Sequence, residues 1–410
     1  MGHLTRRFTA GLLLALAACV SQPEAAPGLT RSQADLVADG AQLCALVREQ
    51  YVFFSGKEAA WEQACADVPA RAVGASTSGE QLRVLEDLLD VLHDPHASFG
   101  RNSGMSPRLV PSGSDYWIEN GRVTAVRVGS AAAMAGLVVG DVVVEMDGQA
   151  LEAAIAERLE PQGVAPTPSQ LAWAANAAGA GYRDRAHSVT VMRDGEPVVL
   201  SLDVDLPDAG GEPVSSEMLP GRIGYIRFNN SLGDSGTVAA FDAAMDGLRG
   251  ARGWILDLRD TPGGGSTDVA EPVMGHFIDE KARYQLIRPP HKKAWVKTAA
   301  PHGGWTAAGP LAVLSGRWTG SMGEGMTIGI DGMRRGDVFG TAMAGLAGGV
   351  EDFKLKASGT TVRIPTYDLA HLNGTPRYAW LPPHLVTADN GAGPDMALAA
   401  AVAWIDSHEY

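Results

Sequence analysis

Three short stretches of the chain carry side chains that could together hydrolyse an acyl bond. The first is Thr319-Gly-Ser-Met-Gly-Glu-Gly325, where Ser321 stands among small residues between an apolar strand and a helix. A serine there can serve as a nucleophile, because the helix dipole and free N–H groups favour developing negative charge. Taken alone, it reads first as a helix N-cap. The second stretch, Asp257-Leu-Arg-Asp-Thr-Pro-Gly-Gly-Gly265, follows another apolar strand. Consecutive glycines let backbone N–H groups approach a bound oxygen, as an oxyanion hole requires. A phosphate loop would end in Gly-Lys-Ser/Thr, which this stretch lacks, and a plain strand-to-helix turn is the simpler alternative. The third is Leu92-His-Asp-Pro-His-Ala-Ser-Phe99. Pro95 fixes the backbone just before His96, which suits that ring to projecting into a cleft as general base for a distant serine.

The elements that must position these groups are legible from periodicity. Residues 32–92 place leucines and valines at helical spacing, for example Leu36, Leu43 and Val47, then Leu82, Leu85, Leu88, Leu89 and Leu92. They predict a helical domain over 29–100, with a Gly-, Pro- and Ser-rich linker from Gly100 to Ser114. A β-patterned region over 115–206 ends in a hairpin about Asp194-Gly195, and residues 162–185 look like an insertion between its strands. From Gly221 strands alternate with helices: Ile223–Phe228, Thr237–Leu248, Trp254–Leu258, Leu311–Leu314, then a helix after Ser321. Such alternation predicts an α/β sheet with functional loops at the strand ends.

Composition narrows the function. With 33 basic against 47 acidic residues, the net charge of -14 and pI of about 5.1 oppose a phosphate-rich partner, so nucleic acid is excluded. The amino terminus runs from Arg6-Arg7 through an apolar stretch to Leu16-Ala-Ala-Cys19, which is too short to span a bilayer. It resembles a bacterial lipoprotein signal, with 1–18 removed and Cys19 lipidated as the first mature residue. The expectation is an exported, periplasm-facing membrane lipoprotein of the cell envelope. Cys44 and Cys65 then form either a disulfide between neighbouring helices or two buried thiols.

The string from Gly121 to Gly148 resembles a PDZ domain of the bacterial protease type, which implies capture of extended peptides as an added strand. The three chemical stretches, with Gly224-Tyr-Ile-Arg227 and Val338-Phe-Gly-Thr341, resemble the carboxyl-terminal processing, or tail-specific, serine peptidases, which share their core with tricorn protease. The resemblance implies a multidomain α+β chain: an N-terminal helical domain, a PDZ-like domain, and over 216–408 a peptidase core of the ClpP/crotonase-like type. It carries the nucleophile onto Ser321, the general base onto His96, and the oxyanion donors onto the amides of Gly263 or Gly264 and Met322. Polypeptides, held through their C-terminal tails, are the implied substrates, and no metal or organic cofactor is implied.

The pattern departs from the family in two places. Leu346 and Ala347 stand where one branch has a catalytic lysine, and Lys354 and Lys356 come later. The other branch orients its histidine with a late glutamate, but residues 373–383 contain no carboxylate, which leaves a two-residue catalytic unit, a substitute acid such as Asp368 or Asp389, or a weakened enzyme. A peptide-binding lipoprotein without catalysis, or an esterase on the same scaffold, are the rival readings.

Overall fold

The computed structural model describes residues 29–99, 108–159, 165–182, 185–202, 211–229, 232–263, 265–386 and 394–408. The lipidation residue expected at Cys19 lies outside them. Three helices come first: α1 (Arg31–Gln50), α2 (Glu58–Gly74) and α3 (Ser78–Asp90). Thr30 and Thr77 start α1 and α3 with capping boxes completed by Gln33 and Glu80, which satisfy N–H groups the helices cannot bond themselves. A disulfide joins Cys44 of α1 to Cys65 of α2, so the bonded alternative holds for these two residues.

The short strand β1 (Ser98–Phe99) leaves the helical unit and joins a distant sheet. The middle unit comprises β2 (Tyr116–Glu119), β3 (Arg122–Val126), α4 (Ala131–Met134), β4 (Val142–Met146), β5 (Gln149–Ala150), α5 (Leu151–Glu157), α6 (Pro168–Ala180), β6 (Ser188–Arg193) and β7 (Glu196–Ser201). Its sheet runs β2-β3-β4-β6-β7, all antiparallel, with β5 on β4. The segment expected as an insertion forms α6. There Asn176 bonds both the N–H and the C=O of Ile118, at 2.8 and 2.9 Å, and Trp173 packs edge-on against His93 of the helical unit. The segment is therefore a joint between two units.

The expected linker is corrected at its C-terminal end. Arg108 is buried and paired with Asp90, and the carbonyl of Ser114 accepts the indole N–H of Trp318 at 2.6 Å. Glycine and proline content marked a turn-rich path, but it could not reveal that these backbone and charged groups find buried partners.

The core sheet is formed by β8 (Val214–Leu219), β9 (Ile223–Phe228), β10 (Gly253–Asp257), β14 (Leu311–Ser315), β16 (Asp337–Gly340) and β19 (His384–Leu385), in the order β19-β16-β14-β10-β9-β8. The ladder is parallel from β9 to β19. Strands β10 and β14 are buried at every residue, and their apolar stretches Trp254–Leu256 and Leu311–Leu314 show no alternation because both sheet faces are covered. Helices α7 (Gly236–Gly247), α8 (Thr267–Gly275) and α9 (Met322–Gly332) cover one face through Phe241, Val273 and Met326; α10 (Met396–Ser407) covers the other through Ala401 and Ile405.

A second sheet joins β12 (Ala282–Arg288), β13 (Trp295–Ala299), β17 (Gly349–Lys354) and β18 (Thr361–Ala370). Here β1 pairs with β18, Ser98 opposite Arg363, and Val362 and Ile364 of β18 complete the apolar core of the helical unit. The remaining pair, β11 (Asp260–Thr261) with β15 (Trp318–Thr319), lies between the loops that follow β10 and β14.

Because the Cys44–Cys65 bond closes a loop with a sequence separation of 21, its chain-entropy contribution is about 3 kcal/mol. Cys44→Ser/Cys65→Ser should melt several degrees lower than wild type, and wild type should fall to the same level under reductant. Two free thiols labelled in the native, unreduced protein would contradict the bond.

Candidate active site

Adjacent parallel strands release their C-terminal loops on the same edge of a sheet, which is where α/β folds build sites. Here β10 releases the glycine turn and β14 releases the serine turn. The two loops are then zipped by β11 and β15, Asp260 opposite Trp318 and Thr261 opposite Thr319, with Gly320 N–H bonding Thr261 C=O at 2.8 Å. A Cβ on Gly265 would lie 2.3 Å from that of Met322, so only glycine lets the turn close on the serine loop. Gly263 sits at φ +133°, a conformation that side chains disfavour. Gly264, its expected alternative as oxyanion donor, lies outside the described residues.

Ser321 itself has φ 53° and ψ -106°, an unusual backbone for a residue with a Cβ. It precedes Met322, the first residue of α9, whose N–H falls outside the helix's own ladder. Strain of this kind persists only where the surroundings hold it. The holder is Glu324, fully buried, whose carboxylate accepts the Ser321 N–H at 2.8 Å.

His96 arrives from the opposite direction. Its turn is built by Asp94, which accepts the His96 N–H at 2.8 Å and the Tyr51 hydroxyl at 2.8 Å; burial pushes the Asp94 carboxyl above its usual range. Lys57 holds the same turn by donating to Leu92 C=O at 2.7 Å, and β1 then stitches it to β18. The ring is thereby placed with Nε2 3.2 Å from Ser321 Oγ and Nδ1 2.7 Å from Ala347 C=O. A carbonyl can only accept, so Nδ1 carries the proton and Nε2 turns its lone pair toward the hydroxyl.

The carbonyl belongs to a loop gripped from beneath. Glu324 accepts the N–H groups of Gly345 at 2.9 Å and Leu346 at 3.2 Å. The buried guanidinium of Arg377 donates to the carbonyls of Leu346 and Gly348 at 2.6 and 2.8 Å, and lies 3.8 Å from the Glu324 carboxylate. Ala347, between the gripped groups, is left to face His96. Burial pushes Glu324 up to about 7, against the pull of Arg377 and of the backbone N–H groups of Ser321, Gly345 and Leu346. Burial likewise draws Arg377 below its usual value.

The structure thus brings together Ser321, His96, Gly263 and Met322. It does not bring Asp368 to the histidine: that carboxylate pairs with Arg288 at 2.6 Å. Asp389 lies outside the described residues. Lys354 ends β17, where its carbonyl accepts from Gln42 of the helical unit. Sequence reading missed Glu324 and Arg377. The spacing Ser321-x-x-Glu324 is a capping-box pattern and was a usable signal for the first; nothing local marks Arg377.

Ser321 opens into a cleft of about 220 Å³ whose wall includes Gln285, Lys297, Val350 and Tyr367. A larger hollow of about 330 Å³ lies elsewhere, between the middle unit and the core. Along that junction Arg127 grips Asp260 of the glycine turn at 2.8 Å, and Arg317 pairs with Glu119. The loops that carry the site are therefore braced by the middle unit.

Residues 222–380 match the model of peptidase family S41. Among solved structures, the photosystem II D1 C-terminal processing protease is similar at 20% identity with a TM-score of 0.55, over 87% of this chain and 94% of that one. Mature CPAF is similar at 13% identity and a TM-score of 0.59, over 92% and 96%. A putative peptidase from Parabacteroides merdae is similar at 14% and 0.53, over 91% and 99%. These likenesses show a shared fold. No protein of curated function matches the sequence.

Two measurements follow from the clamp. Because folding raises the Glu324 carboxyl from its usual 4.5 to about 7, the folded state keeps a proton that the unfolded chain has lost. Wild-type stability should therefore decline relative to Glu324→Gln as pH rises from 4.5 to 7, in parallel denaturation curves; equal slopes would refute the shift. Asp368→Asn should keep kcat/KM within about threefold of wild type, whereas loss of a residue that orients the histidine costs up to about 10⁴-fold.

Proposed function

We propose that this chain, whose residues 222–380 match the model of peptidase family S41, is a serine-type peptidase: an exported endopeptidase that cleaves unfolded or tail-exposed polypeptides through an acyl-enzyme on Ser321, with His96 as general base. The observation that carries the proposal is the 3.2 Å approach of His96 Nε2 to Ser321 Oγ across 225 residues of sequence. As Oγ attacks the peptide carbonyl, its proton passes to Nε2. The imidazolium returns that proton to the leaving amine, the C–N bond breaks, and water then hydrolyses the ester by the same route.

The oxyanion is received by the Met322 N–H and by an N–H of Gly263 or Gly264. The Ala347 carbonyl enforces the productive tautomer of His96. It offers the imidazolium a dipole where a carboxylate would offer a full charge, so stabilisation of that cation is weaker than in a triad with an acid.

Substrate recognition is assigned to the cleft wall. Gln285 and Lys297 face each other across β12 and β13, and the Gln285 amide nitrogen is buried without a hydrogen-bond partner among the described residues. An unpaired buried donor costs free energy until a ligand fills it. A substrate carbonyl or terminal carboxylate meets that need, and the Lys297 ammonium adds charge attraction for the latter. The middle unit, read as PDZ-like, would take up peptide ends by strand addition. Export and the lipid anchor at Cys19 rest on the signal-like sequence alone.

A fluorophosphonate probe should label Ser321, and labelling should be lost in Ser321→Ala and His96→Ala. Turnover of a denatured protein should fall by at least about 10³-fold in both variants, with folding unchanged. Tail-peptide binding with no labelling of wild type would leave a receptor, and turnover of small esters alone would leave an esterase.

A further inference from the structure

Away from the serine cleft, three side chains of metal-ligating type converge from three elements. Asp242 projects from the middle of α7, His276 caps the C-terminal end of α8, and His302 follows β13. His276 Nε2 lies 2.7 Å from Asp242 Oδ1, and His302 Nε2 lies 3.1 Å from the same oxygen. One ligand atom from each residue falls within 4.8 Å of the others, and among the described residues this is the one such group of three. A tetrahedral zinc with bonds of about 2.0–2.1 Å spaces its ligand atoms about 3.3 Å apart, so small outward shifts would admit the ion.

The convergence is built by the backbone. His302 N–H bonds Gly275 C=O at 3.0 Å, and a Cβ on Gly275 would lie 2.5 Å from Ala300 C=O and 2.7 Å from His302 Cβ. Gly303, at φ +83°, passes so close to the His276 ring that a Cβ there would lie 2.7 Å from Cε1. Two glycines thus let the loop after β13 lie over the end of α8, and Phe241 holds the other side of the His276 ring at 5.4 Å. Asp246, one turn along α7, is not available as a fourth ligand because Arg249 and the Trp305 indole engage it. Asp242 and His302 are partly exposed, which leaves water to complete the coordination.

We propose that Asp242, His276 and His302 form a structural site for a divalent ion of the zinc class. Imidazole nitrogen with one carboxylate suits such an ion better than calcium or magnesium, which favour oxygen-only sets. Binding requires both rings to give up their Nε2 protons while Asp242 stays ionised. The ion would tie α7 and α8 to the loop after β13. Since α8 spans nine residues, about 13 Å, the site lies at the far end of the helix whose first residue, Thr267, lines the serine cleft. It supplies rigidity there and no step of hydrolysis.

Chelator-treated full-length protein titrated with Zn²⁺ alone should bind one equivalent by calorimetry and melt about 3 °C or more higher with saturating ion. Co²⁺ in its place should give tetrahedral visible bands. Asp242→Asn and His302→Gln, at partly exposed positions, should each weaken binding by at least about 100-fold and abolish the thermal shift. Ser321→Ala should bind as wild type does, which separates this result from the fate of the hydrolytic reading. No binding up to about 100 μM Zn²⁺, or equal binding by both ligand variants, would overturn the site and leave a metal-free His–Asp–His hydrogen-bonded tie.

Discussion

One buried pair of opposite charges, Glu324 with Arg377, governs the geometry of the serine site. Their side chains act on the backbone around the serine. Between them they take two amides and two carbonyls of the 345–348 loop, and Glu324 also takes the amide of Ser321. The strained backbone of Ser321 and the acceptor for His96 are therefore set by the same two side chains. Burying such a pair is costly, and the cost is offset only when nearly every donor and acceptor finds a partner. The five backbone groups here do much of that matching.

The histidine depends on a different part of the molecule. It comes from the helical unit, whose attachment to the core is both apolar, through Val362 and Ile364, and hydrogen-bonded, through β1 on β18. The serine and glycine turns depend on the zipped loops after β10 and β14, which Arg127 and the Trp318 indole fasten to the middle unit and the segment leading into it. The helical unit and the core thus meet at the cleft, and the middle unit braces the core's loops from outside it.

Much of this could be read from the sequence. Periodicity placed the helices from Arg31 to Asp90, the parallel strands and the hairpin at Asp194-Gly195, because those elements announce themselves over short windows. The serine and glycine turns were legible as chemistry, and His96 became so once a family pattern linked it to them. The orienting group was not legible. Every residue can offer a carbonyl, so a main-chain acceptor leaves no trace in residue type, and the lack of a carboxylate in 373–383 says nothing of it. That segment does contribute, but with Arg377, which grips the carbonyls on either side of Ala347. The packed end of the expected linker was hidden for a similar reason: Arg108 and the Ser114 carbonyl are buried by partners far away in sequence.

The use of a peptide oxygen beside His96 has an evolutionary corollary. A side-chain acid can be erased by one codon change, whereas the oxygen of Ala347 survives every substitution at its own position. Mutational fragility is thereby displaced from the group that does the orienting to the distant residues that aim it. Inactivating changes in such an enzyme would then cluster where inspection of the reacting atoms alone would not look.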